Sequence, residues 1–240
     1  MKFFKYILYL LLVLFVAGFI TIKVMSEPKP SAEADALATE ILSVINKSAF
    51  DTLPYLRWEF FREGQKYFWD KKNNKAIIEF ADYKVLYNLN TMNAQCYKNG
   101  QMLDGDAHEA AKQKAWSNWC NDSFWMIAPF KLFDIGTTRK VVTIDNKRHL
   151  MVEYSSGGVT PGDSYLWILD ENQRPYGWKM WTSILPIKGI YNAWSGWQTF
   201  EGIQFSTTHD FFGKEVTMKN VLAAKTLKEF GYDEDPLKNI

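Results

Sequence analysis

The sequence predicts an α+β protein: an antiparallel sheet of about ten strands curled into an open half-barrel, with an N-terminal helix and a central helical lid. Three observations carry this expectation. After one amphipathic stretch, the apolar period changes from about 3.6 to two and stays there for most of the chain. The breaks between apolar runs are short and rich in Asn, Asp and Gly, so consecutive strands pair as hairpins. One stretch, "NDSFWMIAPFKLFD" (residues 121–134), interrupts the alternation. It is too short to cross a bilayer and too apolar for an ordinary loop.

The chain opens with "MKFFKYILYLLLVLFVAGFITIKVMSEPKP". Residues 6–22 are free of charge, and seventeen helical residues rise about 25 Å, slightly under the ~30 Å hydrocarbon core. Lys5 and Lys23 can snorkel at the two ends. The run exceeds the usual apolar region of a secretory signal, and no small-residue cleavage site follows it closely. Residues 1–26 are therefore expected to be an inner-membrane anchor with the body in the periplasm. If the segment is cleaved instead, the body is released there. Residues 27–30 form a linker, 31–224 the folded domain, and 225–240 a charged, peripheral tail.

In "SAEADALATEILSVIN" (residues 31–46), Ala34, Leu37, Ile41, Val44 and Ile45 share one side at helical spacing. The next 38 or so residues read as strands broken near Gly64, Asn73 and Asp82, with a tight turn at Asn99-Gly100. Residues 104–118 form a polar helix, followed by the apolar insertion, in which Asn121 or Asp122 caps a second short helix that Pro129 limits to about two turns. A second series of strands turns near Asp145, Asp170, Glu201 and Gly213.

Alternation sorts the side chains into two faces. Trp58 and Phe60, Ile78 and Phe80, and Val85, Tyr87 and Leu89 lie on one face of the first series. Tyr165, Trp167 and Leu169, with Trp178, Met180 and Ile184, lie on one face of the second. Arg57, Glu59, Glu79, Lys84 and Lys179 fall on the opposite, wetter side. One sixteen-residue helix cannot cover ten strands, so the insertion at 121–134 is expected to plug the concavity.

Composition narrows the function classes. Hydrophobic residues reach 47% and charged residues 23%, as in a globular chain. Three of the 28 basic residues (Lys2, Lys5 and Lys23) lie in the N-terminal segment, leaving 25 against 27 acidic ones. With no basic run and no zinc-finger spacing, nucleic-acid binding is not expected. Cys96 and Cys120 leave two readings open, a disulfide in an oxidising compartment or two buried thiols.

No metal, cofactor or catalytic residue is expected. His209 and Asp210 are adjacent on a strand and point to opposite faces, so His209 reads as a strand histidine satisfied by hydrogen bonds. "DGDAHE" (residues 104–109) is accounted for by turn and helix-start chemistry. "SSGGVTPGDS" (residues 155–164) has no lysine and opens no helix, so it reads as a long hairpin loop rather than a phosphate cradle. No nucleophile elbow, zinc-protease or nucleotide-binding motif occurs.

The export segment, the amphipathic helix, and strands holding "RWEFFREGQKYFWD" and "YNLNTMNAQCYKNG" resemble the periplasmic lipoprotein-carrier (LolA-type) superfamily. The insertion "DSFWMIAPFKLFD" and the strands "SYLWILDENQRPYGWKMW" extend the likeness over most of residues 31–224. It looks nearest to a branch from Bacteroidetes-like bacteria. The resemblance implies an open half-barrel with a helical lid over a hydrophobic cavity, which binds a lipid or an acylated lipoprotein without catalysis. The cavity would be lined by Trp125, Trp167, Trp178 and Met180, with Phe124 and Phe130 on the lid. No lipoprotein-handling residue of that superfamily maps onto a position here. The alternative on the same fold is an envelope scaffold whose cavity is filled by its own side chains. Oligomeric state is left open.

Overall fold

The computed structural model describes residues 31–60, 64–183 and 187–240. The expected anchor, Glu63 of the first turn and Ile184 of the second ringed face lie outside these residues. Ser31 accepts a hydrogen bond from the Ala34 amide at 3.1 Å and starts helix α1, Ala32–Val44. Ala34, Leu37, Ala38 and Ile41 are buried along one stripe and Ile45 follows them, whereas Val44 is exposed, contrary to expectation. Asn46, in a left-handed conformation, then caps the short helix α2, Lys47–Thr52.

Six strands follow: β1 Tyr55–Glu59, β2 Lys66–Asp70, β3 Lys75–Phe80, β4 Tyr83–Asn88, β5 Asn93–Lys98 and β6 Gln101–Met102. After helix α3, Gly105–Ile127, come β7 Thr137–Ile144, β8 Lys147–Tyr154, β9 Asp163–Leu169, β10 Pro175–Trp181, β11 Ile190–Phe200, β12 Ile203–Phe211, β13 Lys214–Thr217 and β14 Lys219–Ala224. The described residues thus hold fourteen strands rather than about ten. Two reasons account for much of the excess. The Asn99-Gly100 turn is followed by a two-residue partner strand, and the run 214–224 divides in two at Met218.

Pairing is antiparallel throughout. One group runs in the order β14-β1-β2-β3-β4-β5-β6 and the other β13-β12-β11-β10-β9-β8-β7. At Met218 the chain leaves the second group, where Thr217 faces Thr208, and enters the first, where Lys219 faces Glu59. The Met218 amide still donates to the Thr207 carbonyl at 2.8 Å. The two groups are therefore joined by one bent strand run and end in unpaired edges at β6 and β7. The sheet is open.

The helices cover the inner faces. From α3, Ala111, Ala115, Trp119 and Met126 pack with Trp58, Tyr67, Ile78, Val85 and Tyr87 of the first group. From α1, Leu37 and Ile41 pack with Leu150, Val152, Trp167 and Leu169 of the second. Phe205 of β12 belongs with the first of these clusters, where its ring lies 5.4 Å from Phe130 and 6.1 Å from Phe50. It sits where the two inner faces meet.

Two expectations are corrected. The central helix does not stop near residue 118; α3 runs unbroken through Asn121 and Asp122 and ends in a 3-10 turn, Ala128–Phe130, where Pro129 falls. Asn121 and Asp122 stay helical because they satisfy each other and the core: the Asn121 amide donates to Asp122 Oδ1 at 2.7 Å, and the Tyr67 hydroxyl donates to Asp122 Oδ2. The C-terminal tail is not peripheral either. Thr226 and Glu229 form a capping box, and Phe230 and Leu237 pack on Phe68 and Ile77, on the outer side of β2 and β3. That side is apolar where the tail covers it.

Removing Phe205 at the meeting of the two inner faces should cost more than removing an edge residue. Phe205→Ala is expected to lower unfolding free energy by about 3–5 kcal/mol, and Met102→Ala, on the exposed edge strand, by less than about 0.5 kcal/mol. Urea denaturation of both variants reads this directly.

Candidate functional site

The aromatic side chains of β9, β10, β11 and β12 converge with the C-terminal half of α3. Register explains the convergence: Trp178 lies opposite Trp167 on one side and Asn192 on the other, and Trp194 lies opposite His209. Alternation places all five on the inner face. The Trp178 ring lies 5.1 Å from Trp167, 4.8 Å from Trp194 and 4.6 Å from Tyr165. From α3, Phe124 comes within 5.7 Å of Trp178 and Trp125 within 5.2 Å. Trp125 also meets His209 at 5.4 Å.

Of the six residues expected at a hydrophobic site, Phe124, Trp125, Trp167, Trp178 and Met180 belong to this one cluster. Phe130 does not. It stacks on Phe50 at 4.1 Å in the neighbouring cluster, because the 3-10 turn carries it past the end of α3 and away from β10. Trp194, Tyr165, Asn192 and His209 were not assigned to the site from the sequence. Extending the alternation of β11 from Asn192 to Trp194, and of β12 from Phe205 to His209, is the signal that would have added three of them.

The wall is apolar but carries polar atoms. The Asn192 amide is assigned with its oxygen accepting from Trp178 Nε1 at 3.0 Å and its nitrogen donating to the Asp210 carbonyl at 3.1 Å, the orientation that satisfies both ends. Trp167 and Trp194 have no such partner for Nε1, and neither ring nitrogen of His209 makes a hydrogen bond of good geometry. These three side chains are almost fully buried, at 0%, 1% and 1% exposure. The Trp194 and His209 rings are 4.3 Å apart, and Trp167 is 5.0 Å from Trp194. Buried polar atoms are normally paired, and each orphan costs about 1–3 kcal/mol.

His209 therefore departs from the satisfied strand histidine expected of it. Burial pushes its pKa down to about 3, against a small upward pull from the Trp125 backbone. It is neutral at neutral pH. Asp210 points the other way and is exposed, so no acid–base couple forms. His149 accepts from the Leu169 amide at 3.1 Å, and burial lowers its pKa as well. His108 lies near the surface between the Ala94 carbonyl and Glu109. Burial pushes Tyr165 up, with the nearby Asp163 carboxylate adding to the effect. Tyr154, beside Phe124 at 5.5 Å, is raised well above its usual value by burial, and its hydroxyl is unpaired.

Cys96 and Cys120 are free thiols in this structure, Cys96 buried and Cys120 half-buried. Burial raises them to about 11 and about 12, and burial, with smaller contributions from both thiols, also raises the pKa of Tyr87. Among the described residues, no group of His, Cys, Asp and Glu could hold a metal ion, and no helix is long and apolar enough to cross a membrane.

No family model matches the chain, and no curated protein is similar to it at a significant level. Among solved structures, a DUF1329 family protein from Desulfovibrio piger is similar at 10% identity, over 79% of this chain and 92% of that one, with a TM-score of 0.42. A likeness that weak carries no argument about function.

The depressed His209 pKa sets a pH dependence. An unfolded histidine takes up a proton near pH 6.5, whereas the folded one resists down to about 3. Stability linked to His209 is thus fully present above pH 6.5 and lost progressively as pH falls toward 3. Between pH 7 and pH 5 the loss should be about 2 kcal/mol. The urea midpoint of the wild type should be clearly lower at pH 5 than at pH 7, and the difference should be much smaller for His209→Phe.

Proposed function

We propose that the protein is a non-catalytic binder of an apolar ligand in the cell envelope, tethered to the inner membrane by residues 6–22, and that the ligand lies on the inner face of β9–β12 beneath Phe124 and Trp125. An acyl chain of a lipid or lipoprotein suits this face. Each buried methylene contributes about 0.8 kcal/mol, so the chain itself needs no polar partner. The observation that carries the reading is the pair of orphaned indole donors in the aromatic wall, Nε1 of Trp167 and of Trp194. Two indole donors suit an acceptor oxygen such as that of an ester or a carboxyl group. A core built only to be filled from within gains nothing from donors placed there.

Admission of a ligand requires Phe124 and Trp125 to move off Trp178. The turn at Ala128–Phe130, where α-helical geometry has already given way, is the natural hinge. A second reading has its own support. The rings of Phe124 and Trp125 on α3 already stand at van der Waals separation from those of the sheet, 5.1–5.8 Å between centroids, as they would in a scaffold whose hollow is filled by its own side chains.

The two readings separate experimentally. The full chain, purified in lipid nanodiscs, should displace or take up a fluorescent fatty acid, and native mass spectrometry should detect bound lipid. Trp194→Phe keeps the ring and removes the orphan donor. Under the ligand reading it should weaken fatty-acid binding about tenfold, equivalent to roughly 1.4 kcal/mol. A variant more stable than wild type, in a protein that binds no fatty acid at any concentration tested, would instead establish the scaffold.

A further inference from the structure

Antiparallel register places four connections at one rim of the second strand group. Thr137 faces Tyr154, Tyr154 faces Asp163, Trp181 faces Ser164, Met180 faces Ile190, and Phe211 faces Lys214. The residues leading into β7, the β8–β9 loop, the β10–β11 connection and the β12–β13 turn therefore lie side by side. They carry Phe133, Ile135, Val159, Ile187 and Phe212, all exposed, with Ile135 at 95%. The other rim differs. Its turns are Asp145-Asn146, Glu171-Asn172-Gln173 and Glu201-Gly202. Single exposed apolar side chains, such as Tyr176 and Val44 near the other rim, are ordinary, but five gathered at one rim are not.

The path of α1 says what meets that rim. Near its start, Asp35 accepts from Arg139 Nε at 2.6 Å, while Arg139 Nη1 donates to the Leu132 carbonyl at 2.8 Å and its guanidinium covers the Phe133 ring at 4.2 Å. Glu33 and Glu40 reach Arg148 further along β8. At its far end, Ile45 accepts from the Gln204 amide and Asn46 donates to the Gly202 carbonyl, at the polar rim. The helix thus starts beside the apolar rim and runs away from it. The uncharged run of residues 6–22 ends only eight residues before Ser31, a span of roughly 28 Å at full extension.

We infer that the rim bearing Phe133, Ile135, Val159, Ile187 and Phe212 rests on the lipid bilayer that receives the N-terminal apolar segment. The inference rests on the tether of the proposed function and not on its ligand. Apolar side chains at loop tips enter the headgroup–acyl boundary as an interfacial helix does, each contributing about 1.5–3 kcal/mol when fully buried. Lys214, exposed beside Phe212, suits an anionic headgroup. In this orientation the start of α1 lies near the membrane and the polar turns face away from it.

The test uses the full chain in nanodiscs of phosphatidylethanolamine and phosphatidylglycerol. Ile135→Cys, Val159→Cys and Phe212→Cys report on the apolar rim; Asn146→Cys and Asn172→Cys report on the other. Each carries an environment-sensitive fluorophore. The native thiols, with their raised pKa values, label poorly. The expected result is blue-shifted emission and severalfold greater quenching by doxyl-labelled lipid at the apolar rim alone. Equal iodide access at both rims would overturn the inference. So would apolar-rim labels that escape lipid quenching but transfer energy between chains, which would assign the rim to a second copy. Resistance of the chain to carbonate extraction reports the tether separately, and fatty-acid binding reports the ligand, so failure of either is distinguishable from failure of the rim.

Discussion

An open sheet has an inner face that no neighbouring strand can cover. Here that face extends over fourteen strands joined through the bend at Met218, and its chief helical cover is α1 with 13 residues and α3 with 23. Most of the other features follow from this shortage of cover. Side chains on the inner face must be large to reach across, which is why Trp58, Trp167, Trp178 and Trp194 are all fully buried there. The end of α3 must reach the second strand group, which is why Phe124 and Trp125 interleave with Trp178.

Large rings solve the volume problem and create a polar one. Each buried indole brings a donor that needs an acceptor. Trp178 is matched by Asn192, whose own amide is matched by the Asp210 carbonyl, whereas Trp167 and Trp194 have no acceptor among the described residues. His209 adds two ring nitrogens without a hydrogen bond of good geometry, and burial holds its pKa near 3. The penalty for leaving such groups unpaired is comparable to a sizeable part of a domain's net stability.

The faces of individual strands were legible in the sequence because alternation at period two is a local property. Trp58 and Ile78, and Trp167 and Trp178, fall on the inner side as the pattern requires. The amphipathic start of α1 was legible for the same reason. The end of the central helix was not. Asn121 and Asp122 are poor helix formers and good caps by propensity, and the hydrogen bond from Tyr67, fifty-five positions away, helps to keep them inside α3. Phe130 was misplaced for a related reason: a single 3-10 turn redirects a side chain from one cluster to the other, and such a turn leaves no periodic trace.

By itself the sequence determined the class of structure, which strand residues face inward, and the excess of aromatic surface in need of cover. These follow from side-chain direction along an extended backbone, which each residue inherits from its position. Only the tertiary structure decided that the tail Leu227–Phe230 covers the outer face of β2 and β3, and that Lys219–Ala224 changes strand group at Met218. It also decided that Trp194 and His209 stand together without partners. Each of these depends on which distant strands become neighbours. That is settled by the pairing of the whole sheet and by the burial gained when it curls, quantities that no local window contains.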